Sequence, residues 1–416
     1  MSKIISKRVL NGELVIPASK SDGQRAVLAA ALTKNGCVIQ GLGISDDEKA
    51  MLENIRSLGG DYFEKSKGEF EIKPIDRAIQ NTHLSVGESG LGLRLITAVC
   101  AMIGEKFILM GNGSILTRDQ HFFEMHLPQM GVRVSSNNGK LPLELRGKLK
   151  PGNYQVDGSE SSQYVSGLLM TLPLLGQDST LQINNLKSIP YVEMTLKTMS
   201  NFNVQVDGGT FANIKIKGNQ VYESQNYTVE SDWSSGSFWL VAAALGHDLK
   251  IKGLNMESLQ ADKAILEVFS RANIKWLTEN NTIEIDGENR EAFHFDATHC
   301  PDLFPILAVL AAFTPGTSSI SGVHRLFNKE SNRAMAIEKE ISKIGAKVVV
   351  KNDALMITPC DHPKEALFSA HNDHRMAMSL AIASTLIEGN CQIEGAESVS
   401  KSYPDFWNDL EMLTQK

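Results

Sequence analysis

Six Ala- and Leu-rich stretches recur along the chain at a spacing of roughly 70 residues, and each opens on polar or charged side chains. The openings lie at Lys20, Glu88, Glu160, Asp232, Asp302 and Asp373. So regular a period implies six copies of one supersecondary unit, because a unit that cannot bury its apolar face alone has to be packed against its neighbours. The runs that follow, such as Ala26 to Leu32 and Met376 to Leu386, have little polar face and are expected to be helices buried on most sides. Their N-termini offer unpaired backbone N–H groups and the positive end of a helix dipole, which suits phosphates and carboxylates as ligands.

Six further stretches carry amphipathic or mixed helical patterning: Asp46 to Leu58, His121 to Met130, Tyr191 to Phe202, Leu259 to Ala272, Ser331 to Ile344 and Tyr403 to Leu413. In the clearest, Ala334, Ile337, Ile341 and Ile344 share one helix face. Short β-rich runs separate the helices, at Phe70 to Ile72, Phe107 to Met110, Gln182 to Ile183, Val204 to Val206, Ile214 to Ile216, Lys347 to Val350 and Leu355 to Ile357. Turn residues such as Asn137, Asn138 and Gly139, or Asp207, Gly208 and Gly209, bound them. The repeat is thus an α/β unit with two helices and about four short strands, its apolar helix inside and its sheet outside. Three repeats and three repeats make two similar domains, and the chain is expected to cross between them at Ile16 to Ser19 and at Glu230 to Asp232. The domains are then 19–231 and a discontinuous 1–18 plus 232–416.

A chain of 416 residues, 42% of them hydrophobic, exceeds what a single core needs. A formal net charge of −7 without a basic stripe argues against a nucleic-acid partner. No apolar run approaches the about 20 residues of a membrane span, and no signal segment is evident, so a cytoplasmic location is expected. The five cysteines are scattered without a CxxC pair, which fits core positions better than a disulfide or zinc scaffold. No nucleotide loop of the dinucleotide or Walker type appears, so no nucleotide cofactor is expected, and no metal site either.

Seven segments in order along the chain resemble the 5-enolpyruvylshikimate-3-phosphate synthase family of enolpyruvyl transferases. They are the runs from Pro17 to Arg25 (PASKSDGQR), Asp157 to Gln163 (DGSESSQ), Pro190 to Tyr191, Pro301 to Asp302, Lys329 to Arg333 (KESNR), Asn372 to Arg375 (NDHR) and Lys401 to Asp405 (KSYPD). The resemblance implies two domains, each of three βαβαββ repeats in an inside-out α/β barrel, with an active site in the cleft between them. It implies transfer of the enolpyruvyl group of phosphoenolpyruvate to the 5-hydroxyl of shikimate 3-phosphate, on the path to chorismate and the aromatic amino acids. It further implies two small-molecule substrates, no cofactor and no metal; a monomer is expected.

Carried onto this sequence, the resemblance gives Lys20, Ser21 and Arg25 contacts to the substrates, with Ser161, Ser162, Gln163, Ser188 and Tyr191 around shikimate 3-phosphate. Asp302 and Lys329 would hold the shikimate hydroxyls. Lys20, Gly90, Arg118, Gln163, Arg333, Arg375 and Lys401 would surround phosphoenolpyruvate, and Lys20, Asp302, Glu330 and His374 would act in catalysis. These residue types fit the chemistry. Two polyanions must be held together, and charged hydrogen bonds, at roughly 1.5–3 kcal/mol each, outweigh helix ends at about 0.3–1 kcal/mol. A proton must reach the vinyl carbon while the 5-hydroxyl loses one, which calls for poised acids and bases.

Several positions depart from the family's pattern. Glu88 stands where an Asn is usual, the loop around Arg118 is thinned to a single arginine, Arg325 replaces an Asn, and Asn332 replaces an Asp. An ionised Glu88 would repel phosphoenolpyruvate unless Arg94 or Arg118 neutralised it. Two other readings remain at this stage. A UDP-N-acetylglucosamine enolpyruvyl transferase would carry Lys-Asn where Lys20 and Ser21 stand, and a Cys in the Asn112 to Gln120 loop, which has none. A non-catalytic paralogue binding a phosphorylated sugar acid would account for Glu88 and the thinned arginines.

Overall fold

Apolar helices with no wet side need a shell around them, and strands that alternate inward and outward residues supply one. The computed structural model describes residues 1–327 and 329–414. It divides into two compact units, Ala18–Glu230 and a discontinuous unit made of Met1–Pro17 and Ser231–Lys416. Each unit holds three of the six apolar helices: Lys20–Ala31, Gly90–Ile103 and Ser162–Thr171 in the first, Trp233–Ala244, Phe304–Ala312 and His374–Ser384 in the second. Every residue of Trp233–Ala244, Phe304–Ala312 and His374–Ser384 is buried. The second helices bury one side only. In Asp46–Ser57 the inward positions are Asp47, Glu48, Met51, Leu52, Asn54 and Ile55, and in Arg333–Lys343 they include Ala334, Ile337 and Ile341.

Among the described residues six sheets cover these helices, five of four strands and one of three. The repeat is plainest between His83 and Gly147. There the strand His83–Ser85 leads into the helix Gly90–Ile103 and the parallel strand Phe107–Met110. The helix His121–His126 then precedes the hairpin Val132–Asn137 and Lys140–Gly147, whose second strand returns antiparallel to Phe107–Met110. The hairpin turns at Asn138 and Gly139, both with positive φ (51° and 73°), as an Asn-Gly turn requires.

Two repeats take their leading strand from a distant part of the chain. Tyr227–Thr228 pairs parallel with Cys37–Gln40 beside the helix Lys20–Ala31, and Asn11–Val15 pairs parallel with Asp248–Lys252 beside Trp233–Ala244. The sixth sheet has three strands, its third supplied by Ser2–Ser6 running antiparallel to Asn390–Glu394.

Some elements differ from the sequence reading. Val204 to Val206 is not a strand, because Val204 N–H bonds Met199 O and Gln205 N–H bonds the Gln220 side chain instead of a neighbouring strand. The strand begins at Asp207 and takes in the residues expected to turn. The expected second helix from His121 splits into His121–His126 and a 3-10 turn at Pro128–Met130, where the proline lacks the N–H that an unbroken helix would use. Of the cysteines, Cys100, Cys300 and Cys391 are buried and Cys37 and Cys360 half-buried, all as free thiols. No helix among the described residues is long and apolar enough to cross a membrane.

A buried histidine fastens the N-terminal segment of the discontinuous unit. Leu10 N–H donates to His247 Nδ1 at 3.1 Å, which leaves Nε2 to donate to Thr385 Oγ1 at 2.8 Å, so the ring is the neutral Nε2–H tautomer. Burial pushes its pKa down to about 4. The unfolded chain takes up the proton near pH 6.5 while the folded one refuses it until about pH 4, so stability is full above pH 6.5 and falls as the pH drops through that window. Urea unfolding at pH 7 and pH 5 is expected to show this loss, and a His247→Gln variant is expected to show less of it. Equal pH slopes in both proteins would contradict the assignment.

Candidate active site

In the unit Ala18–Glu230 the polar openings of the three apolar helices are tied to one another by side chains. Ser19 caps the first helix, Ser89 the second and Ser161 the third. The Ser89 hydroxyl accepts from Gly92 N–H and donates to Gln24 Oε1 at 3.0 Å, linking the first two helices. Lys20 Nζ lies 2.8 Å from Asp47 Oδ2, and both side chains are largely buried. Asp47 was not singled out from the sequence. Its position in the first turn of Asp46–Ser57 gives it the look of an ordinary helix-start carboxylate.

Gly90 is the residue around which the anion-binding candidates gather. A methyl group added there would come within 2.6 Å of Arg118 Nη1 and 2.8 Å of Arg94 Nη1, with Gln163 Oε1 at 3.7 Å. Two guanidinium groups and an amide therefore converge on one helix N-terminus. Arg94 is held by Gly90 O at 2.9 Å and lies over the Tyr164 ring, 5.1 Å from its centroid. It is a second arginine beside Arg118 that the thinned loop had seemed to lack. Glu88 accepts a hydrogen bond from Ser114 N–H at 2.7 Å, and Gly113 (φ +55°) leaves room for it, since a Cβ there would fall 2.3 Å from the carboxyl carbon.

Arg25 lies deeper than its expected role suggests. Its guanidinium is fully buried and donates to Thr195 Oγ1 (2.8 Å), Ser21 O (2.7 Å) and Tyr191 O (3.2 Å), joining the helices Lys20–Ala31 and Ile189–Asn201. Burial lowers its pKa to about 10, opposed by Asp22. Ser188 opens the second of these helices in a left-handed conformation (φ +52°) without capping it through its side chain, and Ser162 is buried at the start of its own helix.

The discontinuous unit brings together Asp302, Lys329, Glu330, Arg333, Asp373 and Arg375. Arg333, wholly buried, reaches three carboxylates: Nη1 to Asp302 Oδ1 at 2.6 Å, Nη2 to Glu330 Oε2 at 2.5 Å and Nε to Asp373 Oδ2 at 2.7 Å. Arg375 Nη2 lies 3.1 Å from Asp302 Oδ2, Lys329 Nζ is 3.7 Å from Asp302 Oδ1, and Arg375 Nη1 also donates to Ser234 Oγ. Asp302 is thus a hub and not the helix cap it resembled in sequence; the helix after it begins at Phe304, behind a single 3-10 turn. Burial alone would raise the Asp302 pKa, but Arg375, Lys329 and Arg333 together carry it well below the usual carboxylate range. Lys329 is pushed down to about 8 by burial and by the Arg333 and Arg325 charges, against the pull of Asp302 and Glu330.

The approach to the last apolar helix is bent to serve this cluster. His371 and Asn372 both take positive φ (52° and 56°), which turns Asn372 O toward Lys401 Nζ at 2.7 Å. Asp373 then caps the helix by accepting from Arg375 N–H at 3.0 Å, and His374 is buried at its first position. Asn332, in place of the usual Asp, still caps the helix Arg333–Lys343 through Met335 N–H.

Removing the Arg333 guanidinium would leave the fully buried Asp373 carboxylate short of a counter-ion and loosen the partly exposed Asp302 and Glu330, a change that costs about 3 kcal/mol or more. An Arg333→Met protein is expected to show that loss in urea unfolding at pH 7. A change within about 0.5 kcal/mol, the range of an ordinary surface substitution, would contradict the geometry.

The chain matches the family described as EPSP synthase (3-phosphoshikimate 1-carboxyvinyltransferase) over residues 5–410. It is 37% identical over 411 residues to the 3-phosphoshikimate 1-carboxyvinyltransferase of Clostridium kluyveri, covering 98% of this chain and 96% of that protein. It is 36% identical over 416 residues to the protein of the same name from Clostridium novyi, covering 97% and 95%. Its fold is similar to a solved EPSP synthase from Acinetobacter baumannii, with a TM-score of 0.83, 21% identity, and 99% and 98% of the two chains covered. The chain therefore belongs to the EPSP synthase family.

Proposed function

We propose that this protein joins phosphoenolpyruvate to shikimate 3-phosphate as a 3-phosphoshikimate 1-carboxyvinyltransferase, releasing phosphate in the shikimate pathway to the aromatic amino acids. The observation that carries the reading at the level of residues is Asp302, one partly exposed carboxylate held ionised by three cations, Arg333, Arg375 and Lys329. Such a carboxylate is a poor base but a strong, fixed hydrogen-bond acceptor, suited to orienting a substrate hydroxyl. The cations beside it suit the carboxylate and phosphate of phosphoenolpyruvate.

In the reaction the 5-hydroxyl oxygen bonds to C2 of phosphoenolpyruvate, C3 gains a proton to become a methyl group, and the hydroxyl proton leaves. The resulting adduct then loses phosphate by cleavage of the C2–O bond, and a proton departs from the methyl group to restore the double bond. Atoms and charge balance without an oxidant or a further reactant. We assign the proton transfers to Glu330 and Lys20, with Asp302 acting at the hydroxyl and His374 as a further catalytic residue. Lys20, Ser21, Arg25, Ser161, Ser162, Gln163, Ser188 and Tyr191 are assigned to shikimate 3-phosphate along with Asp302 and Lys329. Phosphoenolpyruvate is assigned to Lys20, Gly90, Arg118, Gln163, Arg333, Arg375 and Lys401. To these we add Arg94, whose Nη1 group is nearly as close to the Gly90 site as that of Arg118. We also propose that the protein acts in the cytoplasm as a monomer.

Phosphate release is the direct test. The pure protein mixed with phosphoenolpyruvate and shikimate 3-phosphate is expected to liberate phosphate, and to liberate none when UDP-N-acetylglucosamine takes the place of the shikimate. Release only with the nucleotide sugar, or silence in both tubes, would contradict the reading.

A further inference from the structure

Asp262 is a buried carboxyl group that none of the preceding roles uses. It lies in the 3-10 turn Ala261–Ala264, which leads into the helix Ile265–Arg271. Gln260 fixes that turn, donating through Nε2 to Ser231 O at 2.8 Å and accepting from Trp233 N–H through Oε1 at 2.9 Å. The Asp262 residue is 2% exposed, yet neither of its oxygens has a hydrogen-bond partner among the described residues. Its nearest ion-pair contact is Arg375 Nη1, 3.9 Å from Oδ2.

An unsatisfied carboxyl in this position carries a cost that a serine or alanine would avoid, so it needs a reason. The groups that face it are Ser234 and Asp232 from the start of the helix Trp233–Ala244, Arg375 from His374–Ser384, and Asp302 and Cys300 from the turn before Phe304. Burial is the main influence and raises its pKa to about 7. Arg375 opposes this, Asp302 adds to it, and the Ser234 hydroxyl favours the charged form without a hydrogen bond of normal geometry. Arg375 therefore stands between two carboxylates, within hydrogen-bonding distance of Asp302 on one side and at ion-pair distance, beyond a hydrogen bond, from Asp262 on the other.

We propose that Asp262 is a positioning residue that holds Arg375 from behind when the substrates are bound. The inference rests on the reading of this chain as an enolpyruvyl transferase. In the free protein Asp302 serves Arg333, Arg375 and Lys329 at once, but in the reaction it is needed at the substrate hydroxyl. Arg375 must then face an anionic substrate group with a weaker hold on Asp302. A shift of about 1 Å brings Asp262 within hydrogen-bonding distance of Nη1, so the guanidinium keeps a fixed counter-ion while its other edge meets the anion.

The test compares the whole protein with Asp262→Asn and Asp262→Glu variants in steady-state kinetics, each substrate varied in turn. Losing a charge-assisted contact to Arg375 is expected to raise the KM for phosphoenolpyruvate roughly tenfold in Asp262→Asn. The KM for shikimate 3-phosphate and kcat should stay within a factor of about three, a spread worth less than one ordinary hydrogen bond. Asp262→Glu, which restores the charge, is expected to recover part of the loss. An unchanged KM for phosphoenolpyruvate in Asp262→Asn would overturn the inference while leaving the enzymatic reading in place. Equal deterioration of both KM values, accompanied by a lowered Tm, would also overturn it, since that is what a purely structural role produces. No turnover by the unaltered protein would overturn the enzymatic reading, and this inference with it.

Discussion

A helix that is apolar on every side can be polar only at its ends, and six such helices impose that constraint on this chain. Trp233–Ala244 and Phe304–Ala312 have no exposed residue along their length, so sheets must enclose them and the second helices must cover what the sheets leave bare. The hydroxyls farther in turn back onto their own helices, as Thr97, Thr171 and Ser384 do, and charged side chains are then confined to the helix openings. In a helix N-terminus those side chains sit beside unpaired N–H groups and a positive dipole end. Packing and anion binding are two results of the same pattern.

The openings do not rely on dipoles alone. Those at Lys20, Asp302 and Asp373 gather charges that would be costly if buried singly and are tolerated because they are paired. Arg333 joins three carboxylates, Asp302 receives three cations, and Lys20 is matched by Asp47. Such pre-pairing fixes the long side chains before substrate arrives, so less conformational freedom is lost on binding. It also means that an incoming anion exchanges partners within a network instead of meeting bare charges. On this view the order of partners around Arg375 matters as much as the charge that it carries.

Much of the fold could be read from the sequence because periodicity survives without knowledge of contacts. The apolar runs are so uniform, and their openings so regular, that six repeats and two crossings follow from spacing. Where the reading failed, bonds or breaks outside the periodic pattern had taken over. Val204 to Val206 is β-prone but bonds back to the end of its own helix and to Gln220. Asp302 follows a proline before a helix, as a cap would, yet it is claimed by arginines far along the chain. Asp47 and Asp262 carry no local signal at all, since each is set apart only by a side chain from another element. Arg25 shows the opposite case: its motif was legible, but its burial between two helices was not.

Transfer of an enolpyruvyl group breaks the bond between C2 and oxygen, whereas transfer of a phosphoryl group or simple hydrolysis would break the bond between phosphorus and oxygen. The most direct test supplies phosphoenolpyruvate with a heavy isotope in the bridging oxygen, together with shikimate 3-phosphate, and weighs the released phosphate by mass spectrometry. The expected result is phosphate that retains the labelled oxygen, formed one for one with an enolpyruvyl ether of the shikimate. Unlabelled phosphate, with the label left in pyruvate, would rule out enolpyruvyl transfer.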